Sequence, residues 1–512
     1  MSCPNKYKQI GGFYRYYTGE RTAPIPTVFV GGNHEASNHM RELYYGGWVA
    51  PNIYYMGSSG VVKFGGLRIG GITGIFKDFD YAKGHYERPP FRGPERSSMH
   101  HVRSYEAFKM LQIRNSLDIV VSHDWPQFIE RYGNTAELLR QKPFFEDEVK
   151  QGNLGSPVNA MLLEHLRPAW WFSAHMHLRF QAEVGAQDTI FAEGWAGIPP
   201  YSSSCRDQGP SRSGRGPTAA SGHRNIANQD EIVMSALSDD DDEIAAVVAS
   251  ATSRPPLNLP PPKYGATEEL SAESAECHGA LATNSVSPEQ EAGLAAHGGA
   301  FEKLAQTDAK SSDPRVPGRP TRFLALDKCL PRRQFLEIIE VEAPNAAPGE
   351  HLQLEYDAEW LAILRLCHPH MPLSELPFYP PADAVLSHGI PVLPDAMLAH
   401  EIDWVNTNVL NGARVFVPPN FVPVAPAPPP GTPDSASFGL AAQGQGMWGR
   451  GRGRGNERGR GRGHGRGGHA YSAQQHDVEW PGPHPHVIYP NPQTSELCQM
   501  LGIEDMLTQR QR

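Results

Sequence analysis

The chain has 512 residues, with 46 Lys and Arg against 56 Asp and Glu, so its formal net charge is −10. This acidic balance excludes a uniformly basic nucleic-acid coat protein but leaves room for a local basic site. No apolar run approaches the roughly 18 residues of a membrane helix, and the first residues lack the apolar core of a secretory signal. The six cysteines are scattered without a C-x-x-C pair, so we expect a soluble intracellular protein without a disulfide framework.

Strand-like and helix-like patterns alternate over residues 1–182, and this alternation predicts an α/β domain. Helical patterns occur at 102–114, 134–150 and 157–167. A Gly65-Gly66 pair between two of the apolar runs is a hairpin signal. The apolar runs predict strands at Thr27–Val30, Val61–Phe64, Leu67–Ile72, Asp118–Ser122 and Trp170–Ser173.

Residues 186–319 are dominated by Ser, Gly, Pro and Ala, with an acidic block at Asp239–Glu243, and this composition predicts a disordered insertion. Two strand-like runs, FLALD and FLEIIEVE, follow within Arg322–Glu342, and Trp360–Leu366 predicts a short helix. Loop-closure entropy grows only logarithmically with loop length. We therefore expect 320–366 to pack onto the first domain across the insertion.

The remaining residues, 367–512, are predicted to be mostly disordered, with a Pro-rich stretch at 415–440 and an arginine–glycine tail at 449–468. Seven arginines are interleaved with glycine in this tail. Guanidinium groups favour weak, salt-sensitive binding of RNA. The alternative is a solubilising or protein-docking tail.

Three short motifs each follow a predicted strand directly: Gly31–Glu35 (GGNHE), Ser122–Trp125 (SHDW) and Ser173–His177 (SAHMH). Loops at strand ends converge on one edge of an α/β sheet. An Asn carbonyl oxygen and several imidazoles suit Zn, Mn or Fe, and a pair of such ions can clamp a phosphate and activate a water. One histidine at a strand end is more often a structural residue, but the three motifs in this order predict a metallophosphoesterase site.

This set of motifs resembles the calcineurin-like metallophosphoesterase superfamily. The surrounding sequence resembles, more narrowly, the lariat RNA debranching enzymes. That resemblance covers about 1–182 and 320–366, the latter being the family's C-terminal module. It is carried by GGNHEASNHMRELYYGGWVAPNIYYMG, RIGGITGIFKDFDYAKGHYERPPF, LDIVVSHDWP and RFLALDKCLPRRQFLEIIEVE.

The resemblance implies an α/β sandwich of two mixed sheets flanked by helices, and hydrolysis of the 2′–5′ phosphodiester at the branch point of excised intron lariats. It implies that Asn33, His123 and His175 bind one divalent metal, that His177 binds another, and that His34 is the general acid. Imidazoles suit that role because they exchange protons near neutral pH. One or two ions of Mn, Fe or Zn are the expected cofactor, lariat RNA the expected partner, and the nucleus the expected location.

Residues 77–101 correspond to the loop that recognises branched RNA in the resembling family. Cations and aromatic rings alternate along it, a combination suited to phosphates and unstacked bases. From composition alone, an ordinary solvated surface loop is an equally good interpretation. The residues expected to bind substrate are Lys77, Lys83, His85, Arg88, Arg92 and His101.

Two motifs that open the superfamily pattern do not occur in this sequence, which contains no D-x-H, C-x-H or G-D. The resemblance therefore implies that the first β-α-β portion of the sandwich, with its metal-bridging Asp, is missing. Two interpretations stay open: an incomplete gene model that starts at an internal Met, or an inactive RNA-binding isoform. A calcineurin-like phosphatase for proteins or nucleotides is a further alternative.

Overall fold

A computed structural model of the chain describes residues on both sides of the long Ser/Pro-rich stretch. Most of the predicted insertion at 186–319, the arginine–glycine tail at 449–468, and Arg92 lie outside the described residues. The described residues are 11–89, 91, 94–190, 319–343, 352–381, 383–387, 390–425 and 489–507.

Strands within these ranges follow the apolar runs of the sequence. They are β1 (Thr27–Phe29), β2 (Gly47–Ala50), β3 (Ile53–Tyr55), β4 (Ser59–Phe64), β5 (Leu67–Ile72), β6 (Ile119–Ser122), β7 (Trp170–Ser173), β8 (Phe180–Val184), β9 (Thr321–Ala325), β10 (Leu354–Tyr356), β11 (Val385–Ser387) and β12 (Ile390–Val392).

Two mixed sheets are the main frame of the described part of the chain. One has the order β10-β4-β5-β6-β7-β9-β8, in which β5, β6, β7 and β9 run parallel and the outer pairs run antiparallel. The other has the order β1-β3-β2, with β1 parallel and β2 antiparallel to β3. A separate antiparallel pair joins β11 to β12. Together with the flanking helices, these sheets confirm the predicted α/β fold class.

Helices cover the sheets and connect the parallel strands. Those before the insertion are α1 (Tyr14–Tyr17), α2 (Ser37–Glu42), α3 (Asp78–Tyr81), α4 (Glu95–Ser98), α5 (Ser104–Leu111), α6 (Thr135–Gln141), α7 (Glu146–Gln151) and α8 (Pro157–Leu166); those after it are α9 (Ala358–Cys367), α10 (Asp395–Asn408) and α11 (Pro492–Leu501).

The helix predicted over 134–150 is in fact two helices, α6 and α7, joined by a 3₁₀ turn at Pro143–Phe145. Proline forces the residue before it out of helical geometry, and Lys142 accordingly adopts φ −130° and ψ 72°. Helix α8 begins as predicted, because Ser156 Oγ accepts a hydrogen bond from the Asn159 amide at 3.2 Å.

The predicted hairpin is also confirmed. Strands β4 and β5 pair from Ser59–Ile72 to Phe64–Leu67, and Gly65 and Gly66 both have positive φ, at 57° and 81°. That conformation is required at both central residues of a type I′ turn, which matches the natural twist of the strands.

The chain re-enters the main sheet after the insertion. Strand β9 lies between β7 and β8, with Trp170 opposite Arg322 and Ser173 opposite Ala325, so this part of 320–366 packs onto the first domain as expected. The second run, FLEIIEVE, is not a strand: Leu336 is 76% and Ile338 is 92% exposed. Its alternation suits a strand, but both sides of β9 are already filled by β7 and β8.

Ordered elements continue well beyond residue 367, where the composition predicted mostly disorder. The predicted helix at Trp360–Leu366 is part of α9, but α10 and α11 were not predicted. These helices lie among Pro-rich segments whose composition hides short apolar faces. In the described ranges, no helix is long and apolar enough to cross a membrane.

The main hydrophobic core lies between the seven-stranded sheet and helices α5, α8 and α9. Phe108, Leu162 and Ile363 come from these helices, and Trp171 and Phe323 from the sheet; all are at most 1% exposed. This core fixes the parallel strands β5, β6, β7 and β9, and so fixes where their following loops meet.

Candidate functional site

The loops that follow the parallel strands meet at one edge of the fold. The Gly31 amide donates to Thr73 Oγ1 at 3.1 Å, and the Gly74 amide donates to the Gly31 carbonyl at 2.9 Å. These bonds join the loop after β1, in the small sheet, to the loop after β5, in the large sheet. The Ala174 amide in turn donates to the His123 carbonyl at 3.0 Å, which joins the loops after β6 and β7.

Gly32 lets the first motif approach the second. A Cβ atom at this position would lie 2.6 Å from His123 Cε1 and 2.9 Å from Nδ1, closer than real Cβ contacts occur. The Gly32 amide donates to Glu35 Oε1 at 3.2 Å. The GGNHE motif therefore combines a residue without a side chain, which faces the imidazole, with a carboxylate that holds the loop closed.

Three donor atoms from the three motifs converge. His123 Nε2 lies 3.1 Å from Asn33 Oδ1 and 3.1 Å from His175 Nδ1. Ligands about 2.0–2.2 Å from a common ion are separated by about 2.8–3.6 Å, from octahedral to tetrahedral geometry. These residues therefore fit one divalent ion. Among the described residues, no three His, Cys, Asp or Glu side chains form a metal group by themselves, so the Asn33 amide is needed as the third donor.

The SAHMH loop has an unusual backbone. His175 and His177 both have positive φ, at 54° and 52°, a left-handed conformation that is uncommon outside glycine and costs free energy. Surrounding contacts enforce it: Trp125 Nε1 donates to the Ala174 carbonyl at 2.8 Å. The backbones of both histidines are thus held in conformations that the local sequence does not favour.

Two imidazoles of the site, those of His123 and His177, have lowered pKa values. Burial lowers the pKa of His123 well below its usual value, and the charges of His175 and His177 lower it further. Burial also lowers the pKa of His177 to about 3, with smaller contributions from Lys328, His175 and other nearby groups. A neutral imidazole has the free lone pair that a metal requires.

His34 and His177 are part of the same neighbourhood. The charge of His34 contributes to the lowered pKa values of both His123 and His177. The structure therefore gathers the five residues that the sequence predicted for catalysis and metal binding, and within this set His123 Nε2 lies 3.1 Å from donor atoms of both Asn33 and His175.

A buried side chain within the second motif, Asp124, stabilises these loops. Asp124 accepts hydrogen bonds from the Phe76 amide at 3.3 Å and the Trp125 amide at 3.0 Å. Burial raises its pKa, against the charge of His175. The side chain links the loop after β5 to the loop after β6, which carries His123.

Most of the predicted RNA-binding side chains in 77–101 contact other protein groups. His101 Nδ1 lies 2.7 Å from Asp80 Oδ2, and Lys83 Nζ lies 2.8 Å from Asp80 Oδ1. His85 Nε2 lies 3.0 Å from Glu106 Oε1. His85 and His101 are at most 9% exposed, so this geometry gives them a structural role in shaping the segment.

Arg88 is likewise engaged, since it donates to the backbone carbonyls of His85, Glu87 and Leu373. Lys77 precedes α3 at the start of the segment. Phe79, two residues later, is 64% exposed and is the aromatic side chain most open to a base. Arg92 lies outside the described residues.

Two lysines near His177 were not singled out in the sequence. The charges of Lys328 and Lys142 both act on the His177 imidazole, and they also act on each other. Within the described ranges, neither ammonium group pairs with a carboxylate. Lys328 follows β9, the fourth parallel strand, so the strand-end rule that located the histidines would have located this lysine as well.

Comparison with known proteins shows the family of this chain. Residues 318–440 match the family model described as "Lariat debranching enzyme, C-terminal domain". The lariat debranching enzyme of Schizosaccharomyces pombe is 35% identical over 428 residues, which cover 83% of this chain and 80% of that protein. The chain belongs to the lariat debranching enzyme family. Its matched C-terminal domain continues beyond 366, the end predicted from sequence.

Other relatives in the family are longer. The Gallus gallus lariat debranching enzyme is 58% identical over 365 residues, and the Homo sapiens enzyme is 38% identical over the same number. Each match covers 71% of this chain but only 45% and 44% of those relatives. The chain thus spans less than half the length of these two proteins.

Proposed function

We propose that this chain hydrolyses the 2′–5′ phosphodiester at the branch point of intron lariats and so supports intron turnover in the nucleus. The observation that carries the proposal is the convergence of Asn33, His123 and His175 donor atoms at 3.1 Å spacings. They lie at the ends of strands from both sheets, in a chain whose relatives are named lariat debranching enzymes.

Asn33, His123 and His175 would hold one divalent ion, with His177 available to a second. The donor set, one amide oxygen and neutral imidazoles, suits Mn, Fe or Zn. When bound, such an ion polarises a phosphoryl oxygen and stabilises the charge that develops on it. The protein prepares the site by lowering the pKa of His123 through burial and by fixing the backbones of His175 and His177 in left-handed conformations.

His34 is the proposed general acid. It directly follows the ligand Asn33 in the loop that Glu35 closes, so its imidazole is placed relative to the same donor atoms. In this role it holds a proton and transfers it to the departing ribose oxygen as the phosphodiester breaks. General acids in such positions contribute about 10²–10⁴-fold to the rate.

RNA would contact cations and rings around this site. Lys142 and Lys328, which lie near His177, would contact phosphates, and the exposed ring of Phe79 would stack on an unpaired base. The arginine–glycine tail at 449–468 would add weak, salt-sensitive binding.

A second candidate function is lariat binding without hydrolysis. It is favoured by the absence of D-x-H and G-D motifs from the sequence and, in the described ranges, of a metal group made of His, Cys, Asp and Glu alone. On this alternative the chain binds branched RNA and leaves the 2′–5′ bond intact.

The deciding experiment offers a synthetic 2′–5′ branched RNA to the full chain with added manganese. The proposal predicts release of the branch, with linear RNA and a phosphoprotein left intact. His34→Ala should lower the rate at least 100-fold, while His400→Ala, an exposed histidine on α10, should leave it unchanged. Saturable binding without cleavage would support the second candidate, and cleavage of the phosphoprotein alone would contradict both.

A further inference from the structure

Residues 489–507, here called segment 489–507, dock on the fold from a distant part of the sequence. Sixty-three residues, 426–488, separate the segment from the preceding described residue. It nevertheless packs against α2 and β2, which follow the GGNHE loop. It lies outside both the matched C-terminal domain and every motif of the sequence analysis.

Both ends of the segment's helix, α11, are set by its own residues. Asn491 caps the start, because its side chain accepts from the Gln493 amide at 3.1 Å. Gly502 ends the helix with φ 62°, and the Ile503 amide donates to the Cys498 carbonyl at 2.9 Å. The boundaries of α11 therefore do not depend on chain on either side.

Gln493 covers the open edge of the small sheet. β2 is an edge strand in the order β1-β3-β2, and unpaired edges attract other strands. The Trp48 amide donates to Gln493 Oε1 at 2.7 Å, and Gln493 Nε2 donates to the Trp48 carbonyl at 3.0 Å. The side-chain amide thus takes the place of a peptide group on a neighbouring strand.

Apolar and polar contacts complete the docking. Leu497, Cys498 and Leu501 are at most 8% exposed and belong to the main core. Thr494 Oγ1 donates to the Glu42 carbonyl, and Arg365 of α9 donates to the Leu501 carbonyl. These contacts reach α2, α9 and β2, so the segment ties the helix after the proposed catalytic loop to the C-terminal module.

We propose that the groove between α2, β2 and α9 is a peptide-binding site and that segment 489–507 is its tethered ligand. Recognition rests on the paired Gln493 amide and the buried leucines, none of which requires a covalent link to residue 425. A tether of 63 residues is long enough for the segment to leave the groove and return. A covalent link raises the effective concentration of a ligand at its site, so a modest intrinsic affinity keeps the groove filled.

The test uses the full chain with a specific protease site inserted after Gly446, cut after purification. A labelled peptide of residues 489–507 is then titrated into cut and uncut protein, and its fluorescence anisotropy is followed. In the cut protein the peptide should replace the resident segment and reach a saturable plateau. In the uncut protein it should compete at least tenfold more weakly, because the resident copy is tethered.

Two altered peptides make the test specific. The Gln493→Ala peptide loses two hydrogen bonds and should bind about tenfold to thirtyfold more weakly. The Gln499→Ala peptide changes an exposed position on the same helix and should bind like the parent. Equal binding of the two variants, no saturable binding to the cut protein, or unfolding of the chain on cleavage would each overturn the proposal. The readout is binding, so it is independent of the proposed lariat hydrolysis.

Discussion

The replacement Gly32→Ala tests the packing that brings the GGNHE loop to His123. The added Cβ would lie 2.6 Å from His123 Cε1, whereas ordinary van der Waals contact begins at 3.4 Å, so the ring or the loop must move by about 0.8 Å. Both groups carry proposed metal donors, and His123 Nε2 lies only 3.1 Å from Asn33 Oδ1 and from His175 Nδ1. The methyl group would therefore push the donor atoms of Asn33 and His123 apart.

We expect this variant to remain folded and to lose activity. Overpacking in a tight site costs about 1–3 kcal/mol of stability, but a misplacement near 1 Å can cost about 100-fold in rate. The assay is cleavage of a branched RNA over a manganese titration. The half-saturating manganese concentration should rise and the rate should fall about 100-fold.

A matched control separates local from general effects. Gly412→Ala adds the same methyl group where no atom lies within 4 Å, but at φ 69°, which strains any residue with a side chain. It should lower stability by about 1–2 kcal/mol and leave cleavage and manganese dependence unchanged. Wild-type rate and manganese dependence in Gly32→Ala would refute the proposed site geometry.

Three further variants test the surroundings of the site. Burial raises the pKa of Glu42 to about 8, against a backbone hydrogen bond from Tyr489. Between pH 7 and 8 the folded state therefore holds a proton that the unfolded state has released. The free energy of unfolding should fall by up to about 1.4 kcal/mol per pH unit in this range, and Glu42→Gln should remove this pH dependence. Lys328→Gln should raise the KM for branched RNA and reduce the salt slope of binding by about one. Arg68→Met removes the guanidinium that pairs with two buried carboxylates at the start of α9. It should lower the free energy of unfolding by about 3–5 kcal/mol.

Controls and contrary outcomes are specific to each variant. Chemical unfolding of Glu42→Gln and wild type is compared above pH 7. Burial lowers the pKa of the neighbouring His39 to about 4, so titration of His39 is complete in this range. Parallel curves of unfolding free energy against pH for the two proteins would contradict the role given to Glu42. Lys150→Gln, on the exposed face of α7, should not change the KM. If it raised the KM as much as Lys328→Gln does, a specific contact between Lys328 and RNA would be refuted. Arg140→Met breaks an exposed ion pair and should lower the free energy of unfolding by well under 1 kcal/mol. A similarly small effect of Arg68→Met would show that the ion pairs of Arg68 add little stability.

The parts of the fold that sequence predicted are those encoded by local patterns. β6 and β7 are apolar runs, and the β4–β5 hairpin is marked by Gly65-Gly66. The site was predicted for the same reason: each motif directly follows its strand, and parallel strands place their ends together. His123 and His175 meet because their strands lie side by side in the large sheet, whereas Asn33 reaches them from the small sheet through the Gly31 contacts with Thr73 and Gly74.

What the sequence did not predict depends on distant partners. His101 and His85 contact Asp80 and Glu106, each 21 residues away in the sequence, and no local pattern shows that these imidazoles already have carboxylate partners. FLEIIEVE has strand periodicity, but no open sheet edge remains beside β9. Gln493 of segment 489–507 contacts Trp48, which lies 445 residues earlier in the sequence. Composition cannot indicate such a contact.

The most direct test of the central claim compares wild type with His123→Ala under single-turnover conditions on a 2′–5′ branched RNA with manganese. His123 Nε2 lies 3.1 Å from both Asn33 Oδ1 and His175 Nδ1, so the account predicts that its loss abolishes cleavage while leaving RNA binding close to wild type. Cleavage at the wild-type rate by His123→Ala would place the chemistry elsewhere and contradict the account.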